Sequence, residues 1–94
     1  MKQYEMMVLV NEILNEQELK DWAINCARNL KKLNVLNVSI TFQGKHELSY
    51  SIKKQTKANY VQINFSILPK YINKVKNNLK LDSNSLRFLI LNKF

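Results

Sequence analysis

One glycine, one proline, one histidine and one cysteine are all that this 94-residue chain holds of the residues that most often build special turns or special chemistry. Because Cys26 is alone, an intramolecular disulfide is impossible. With His46 also alone, a Cys/His zinc site cannot be assembled within the chain. Gly44 cannot make a glycine-rich phosphate loop by itself. So few glycines and prolines leave no flexible linker, and the length suits one modest core, so residues 1–94 are expected to form a single domain. Long apolar runs are missing too: none approaches the ~20 residues needed to span a bilayer, so no membrane partner is expected. The opening "MKQYEMMVLV" is a basic start with a short apolar run, but "NEILNEQ" follows where a signal peptide would place small residues. It is therefore expected to be a strand. With no transit peptide apparent, the expectation is a bacterial protein or one encoded inside an organelle.

Acidic residues are scarce and unevenly placed. Residues 1–30 hold three basic and five acidic residues, a net charge of −2; residues 31–94 hold twelve basic and two acidic, a net charge of +10. Together these give the total of +8. A basic surplus gathered in one part of a small chain favours a polyanionic partner such as nucleic acid. Hydrophobic residues make up 46% of the chain, which separates it from disordered basic tails.

Periodicity supplies the elements. "YEMMVLV" (4–10) is too short for a helix. Asn15 with Glu18 three residues on forms a capping-box signal, and Leu19, Trp22, Ala23, Cys26, Leu30 and Leu33 then recur at helical spacing, predicting a helix over about 16–32. "VLNVSITFQ" (35–43) alternates, with Leu36, Val38, Ile40 and Phe42 on one face. Gly44 interrupts it, and the alternation resumes through Leu48, Tyr50 and Ile52. A lone glycine in a strand predicts a bulge or bend, with Leu48 and Ile52 returning to the core beyond it and Tyr50 on their face. "KKQTKAN" (53–59) is expected to be a hairpin tip. In "YVQINFSI" (60–67), Val61, Ile63, Phe65 and Ile67 point inward. Pro69 opens a second helix with Ile72, Val75 and Leu79 buried. "DSNS" (82–85) turns, and 86–94 make a last strand with a short tail. The order β–α–β–β–α–β predicts an α+β, ferredoxin-like fold: a four-stranded antiparallel sheet, order 4-1-3-2, with both helices on one face. If Val8, Val10, Phe88 and Ile90 face the helices, then Met7, Leu9, Leu89 and Leu91 form an exposed apolar patch, which marks a protein partner.

Enzyme chemistry finds little support. His46 and Glu47 are adjacent on a predicted strand and so point to opposite faces. A second histidine four residues on, as in helical zinc-protease motifs, is replaced by Tyr50. An acylphosphatase-like site would need an arginine in the loop after the first strand, and "NEILNEQ" has none. The third strand also lacks the glycine–aromatic run of an RNA-recognition module, so base stacking by two or three rings is not expected there. Neither a cofactor nor a small-molecule substrate is expected, and the polyanion contact is expected to rest on backbone charge and folded shape.

Three stretches, "YEMMVLVN", "GKHELSYSIKK" and "NSLRFLILNK", resemble the bacterial-type small-ribosomal-subunit protein six family, in unbroken order over nearly the whole chain. Gly44, Glu47, Leu48, Ser49, Tyr50, Ile52 and Lys53 match its central pattern; His46 departs, standing where arginine or lysine is usual. The resemblance implies a non-catalytic protein that binds the central domain of small-subunit rRNA together with ribosomal protein eighteen. It implies a ribosomal location in bacterial cytoplasm or plastid stroma. The rRNA-contacting positions it carries over are Lys2, Tyr4, Tyr60 and Arg87, and more weakly Lys93, which lies one residue past the usual place. A free RNA-binding regulator on the same fold is the alternative reading.

Overall fold

The computed structural model describes residues 1–92; Lys93 and Phe94, and with Lys93 one of the expected rRNA contacts, lie outside the described residues. The elements run β1 (Lys2–Asn11), α1 (Glu16–Lys31), β2 (Leu36–Ile52), β3 (Gln55–Ile67), a short 3-10 turn (Pro69–Tyr71), α2 (Ile72–Leu81) and β4 (Ser85–Asn92). All strand pairs are antiparallel and the order across the sheet is β2-β3-β1-β4. This is the expected ferredoxin-like arrangement, with β1 and β4 side by side.

α1 begins where the capping chemistry puts it. Asn15 Oδ1 accepts from the Glu18 amide at 2.8 Å, and Glu18 Oε1 accepts from the Asn15 amide at 3.0 Å. Two otherwise orphaned N–H groups are thereby satisfied. The core lies between the sheet and the helices. β1 gives it Tyr4, Met6, Val8 and Val10; β3 gives Val61, Ile63, Phe65 and Ile67; α1 gives Trp22, Ala23 and Leu30; α2 gives Val75 and Leu79. Burying a side chain of this kind stabilises the fold by roughly 1.5–3 kcal/mol relative to exposure. Pairing Tyr4 directly with Phe65 stacks their rings at 5.8 Å.

The long strand β2 departs from simple alternation at three places. Leu36 pairs with Ser66 but Ser39 pairs with Asn64, so one extra residue sits on β2, and Asn37 takes a φ of 57°. The slip removes Leu36 from the face of Val38, Ile40 and Phe42 and leaves it 55% exposed, contrary to the expectation. Phe42 pairs with Val61 but Lys45 pairs with Asn59, a second extra residue, centred on Gly44 with φ +84°. Here the glycine is required, because left-handed backbone is strained for residues with a Cβ.

The Gly44 bulge also reverses parity. Between the two bulges, Ile40 and Phe42 oppose the core-facing Ile63 and Val61 of β3; after Gly44, His46 opposes Ala58 on the other face. Leu48 and Ile52 therefore do not return to the main core. They join Ala58, Leu86, Leu9 and Tyr60 in a second apolar cluster, on the sheet face away from the helices. Finally, the hairpin tip is tighter than 53–59. Lys53 and Lys54 both have positive φ, 49° and 65°, and Ile52 pairs with Gln55, so β3 starts at Gln55. Positive φ at both central residues is the type I′ geometry, whose twist suits a hairpin, and lysines here bear its backbone cost without asparagine or glycine.

Candidate functional site

The open sheet face carries most of the residues singled out from sequence. Met7 pairs with Leu89, Leu9 with Arg87 and Glu5 with Leu91. Leu89 and Leu91 are 58% and 50% exposed, and Met7 is half-buried beside them. Leu9 belongs partly to the second cluster, under Leu48 and Tyr60. The open apolar patch is thus centred on β4 and Met7, with Leu9 at its border.

Arg87 stands at that border and is fixed by a contact that no local pattern signals. Its Nη1 donates to Tyr50 Oη at 2.6 Å, and its guanidinium lies 5.5 Å from the Tyr50 ring centroid. Tyr50 is on β2 and Arg87 on β4, at opposite edges of the sheet. Flat strands would separate these edges by about three spacings of ~4.8 Å. The contact coincides with a loss of register between β2 and β3 from Glu47 to Ile52, and Ile52 shares a buried cluster on this face with Leu86 of β4. A guanidinium held through one of its N–H groups retains the others for a phosphate or carboxylate.

Tyr60 lies half-buried in the second cluster and meets the His46 ring edge-on, with centroids 4.7 Å apart. His46 Nε2 donates to the Gln43 carbonyl at 2.8 Å, which assigns the proton to that nitrogen. Glu47 follows on the other side of the strand, and no acid–base pair with His46 is assembled. Around Tyr60 the face is amide-rich: Gln43 Nε2 donates to Gln62 Oε1 at 2.7 Å.

Two expected rRNA residues lie elsewhere. Tyr4 is on the helix side, 8% exposed and stacked on Phe65, so it serves the core and presents little surface; the motif position that suggested an RNA contact lies on the inward parity of β1. Lys2 shares that parity but is exposed at the strand's start, where it pairs with Ile67. Lys2 and the Arg87 partner Leu9 are seven residues apart on β1, about 23 Å at ~3.3 Å per residue. Lys2 and Arg87 therefore occupy opposite ends and opposite faces of the sheet.

The helix layer contains a recess of about 450 Å³ between α1 and α2. Trp22 Nε1 donates to Asp82 Oδ2 across its end. Cys26 lines it, and burial, with Asp82 adding repulsion, pushes the thiol up to about 11. A thiol held protonated is a poor nucleophile. Glu18, Asp21 and Asp82 also line the recess, but no group of three His, Cys, Asp or Glu side chains is placed to hold a metal among the described residues.

Comparison with known proteins agrees with the fold. Residues 3–92 match the family model described as Ribosomal protein S6. The chain is 54% identical over 92 residues to small ribosomal subunit protein bS6c of Trieres chinensis, covering 98% of this chain and 96% of that one. It is 48% identical to the protein of the same name from Phaeodactylum tricornutum, covering 99% and 95%. Small ribosomal subunit protein bS6 of the bacterium Dictyoglomus turgidum is 29% identical, covering 96% and 93%. The crystal structure of 30S ribosomal protein S6 from Thermotoga maritima superposes with a TM-score of 0.90 at 17% identity, covering 99% of this chain and 88% of that one; this likeness speaks for the fold alone.

Proposed function

The chain belongs to the ribosomal protein S6 family, of the bacterial and plastid kind, and from that premise we propose that it binds small-subunit rRNA and one protein partner through its open sheet face. On this reading it acts on the ribosome as a structural, non-catalytic component. The partner is ribosomal protein eighteen, seated on Met7, Leu89 and Leu91. Arg87 and Tyr60 touch the RNA beside it.

The observation that carries the reading is the Arg87–Tyr50 contact at 2.6 Å, on an open face bordered by exposed Leu89 and Leu91. Holding a guanidinium by a neutral tyrosine, and not by a carboxylate, keeps its full positive charge available. Pre-ordering it lowers the entropy lost when it meets a phosphate. Apolar surface alongside offers a protein partner a desolvated centre with a charged rim. Acids are sparse near Arg87: none occurs between residues 48 and 81 and Asp82 faces the helix layer, while Glu5 stands farther along the open face beside Leu91.

Binding of an in vitro small-subunit rRNA transcript tests the reading. Affinity is expected to fall steeply with salt, since each neutralised phosphate contributes a log–log slope of about −0.7 to −0.9. Arg87→Ala is expected to weaken binding up to ~10-fold, equivalent to about 1.4 kcal/mol. Salt-independent affinity, or an unchanged affinity for Arg87→Ala together with unchanged incorporation into small subunits, contradicts it. The second reading, a free RNA-binding regulator, predicts a protein that does not co-sediment with small subunits at high magnesium.

A further inference from the structure

The helix side of the molecule carries a second cationic surface. α1 ends in a last turn containing Arg28 and Lys31, followed by Lys32. Leu36, four residues after Lys32, pairs with Ser66, and Pro69 lies three residues after Ser66. Lys2 pairs with Ile67. The end of α1, the start of β1 and the start of α2 are thereby brought to one end of the sheet. There Lys70 and Lys74 both lie over the Tyr71 ring, at 5.1 and 5.5 Å from its centroid. Tyr71 is itself packed against the main core, which anchors the pair. Two ammonium groups are so held within about 11 Å of each other, the sum of the two distances, and they repel. Arg28, Lys31, Lys32, Lys70 and Lys74 are all exposed.

The charge is also polar along the helix layer. No acidic residue occurs between positions 22 and 46, and neither the 3-10 turn nor the first turn of α2 contains one. The acids of the helix layer, Glu16, Glu18, Asp21 and Asp82, lie at the start of α1 and the end of α2, the opposite end. The acids at that end are mixed with Lys20 and Lys80, whereas the Tyr71 end holds cations without acids, so a polyanion is favoured at the Tyr71 end.

We propose that Lys31 and Lys32 at the end of α1, with Lys70 and Lys74 over Tyr71 at the same end of the helix layer, form a second RNA-backbone contact separate from the Arg87 face. The proposal rests on the reading of the chain as an rRNA-binding protein. Its occupant is the phosphate backbone: flexible lysine point charges suit phosphates without selecting bases. Lys2, about 23 Å along β1 from the Arg87 level, belongs to this end and not to the open face. Two cationic contacts on opposite sides would let the protein bridge two RNA segments, with the protein partner on the open face.

The test compares wild type, the quadruple variant Lys31→Gln/Lys32→Gln/Lys70→Gln/Lys74→Gln, its all-arginine counterpart and Arg87→Ala. Two probes are titrated against salt: an in vitro small-subunit rRNA transcript and an unrelated 20-base-pair RNA duplex. The glutamine variant should lose a log–log slope of about 3 on the transcript, four phosphates at 0.7–0.9 each. The arginine variant should keep it, and Arg87→Ala should lose no more than ~1. The duplex should also lose affinity for the glutamine variant, because backbone contacts do not read sequence. If wild type binds the transcript and the glutamine variant keeps its slope, the second surface is refuted and the rRNA reading stands. If wild type does not bind the transcript at all, the rRNA reading fails and the inference falls with it. If poly-L-glutamate displaces the duplex as effectively as RNA of equal charge, the surface serves an acidic protein and the proposal is overturned.

Discussion

Replacing Gly44 by alanine isolates the conformational demand of the bend in β2. A Cβ built at this position meets nothing within 4 Å, so no steric term enters. What remains is backbone: at φ +84° an L-residue bears roughly 1–2 kcal/mol relative to its preferred conformations. Alanine recovers about 0.4–1 kcal/mol by restricting the unfolded chain. The net expectation is a destabilisation of about 1 kcal/mol, or ~4–8 °C in Tm for a domain of this size. Gly44→Asn should lose about half as much, because asparagine tolerates left-handed backbone. The assay is thermal unfolding followed by circular dichroism, with urea titration to confirm an unchanged m-value. A Tm for Gly44→Ala within 1 °C of wild type would refute the reasoning, since the bulge would then tolerate any residue. So would a loss for Gly44→Asn as large as for Gly44→Ala.

Three further outcomes follow from named contacts. Tyr50→Phe keeps the ring under Arg87 but removes the hydroxyl acceptor; rRNA affinity should fall about 5-fold, near 1 kcal/mol, with stability nearly unchanged because the contact is exposed. Equal affinity for the two proteins in a titration would show that the hydroxyl does not position Arg87. Asn15→Ala should cost about 1 kcal/mol by opening the capping box, read as a lower urea midpoint, and no change would deny the cap its role. Cys26 should alkylate with iodoacetamide at pH 8 about 100-fold more slowly in the native chain than in the unfolded one, given a thiol raised from 9.0 to about 11. The sign also fixes a pH effect: with the folded value above the unfolded one, this contribution to stability is full below pH 9 and is lost as pH rises toward 11. Equal alkylation rates would refute the buried thiol.

Much of the architecture was legible because burial and alternation coincide. Val61, Ile63, Phe65 and Ile67 read inward and are buried, and the Asn15–Glu18 cap stands where its chemistry puts it. The same rule failed on β2. A glycine in a strand announces a bulge but not how many residues it adds, and one extra residue reverses every side chain beyond it. Leu48 and Ile52 consequently read as core residues of the helix side and are instead part of the opposite cluster. Tyr4 shows a different limit: the family resemblance offered it as an RNA contact, whereas strand parity puts its ring on Phe65. The Tyr50–Arg87 contact joins residues 37 apart in sequence, which no local pattern encodes.

Hydroxyl-radical footprinting of Met7, Leu89 and Leu91, in the free chain and in assembled small subunits, tests the partner-covered open face most directly. Leu89 and Leu91 are 58% and 50% exposed in the free chain and should be modified readily. The account predicts strong protection of all three in the subunit, with exposed Ile13 and Leu81 at the acidic end of the helix layer left reactive as internal controls. Equal modification of Leu89 and Leu91 in the free and assembled states would contradict it.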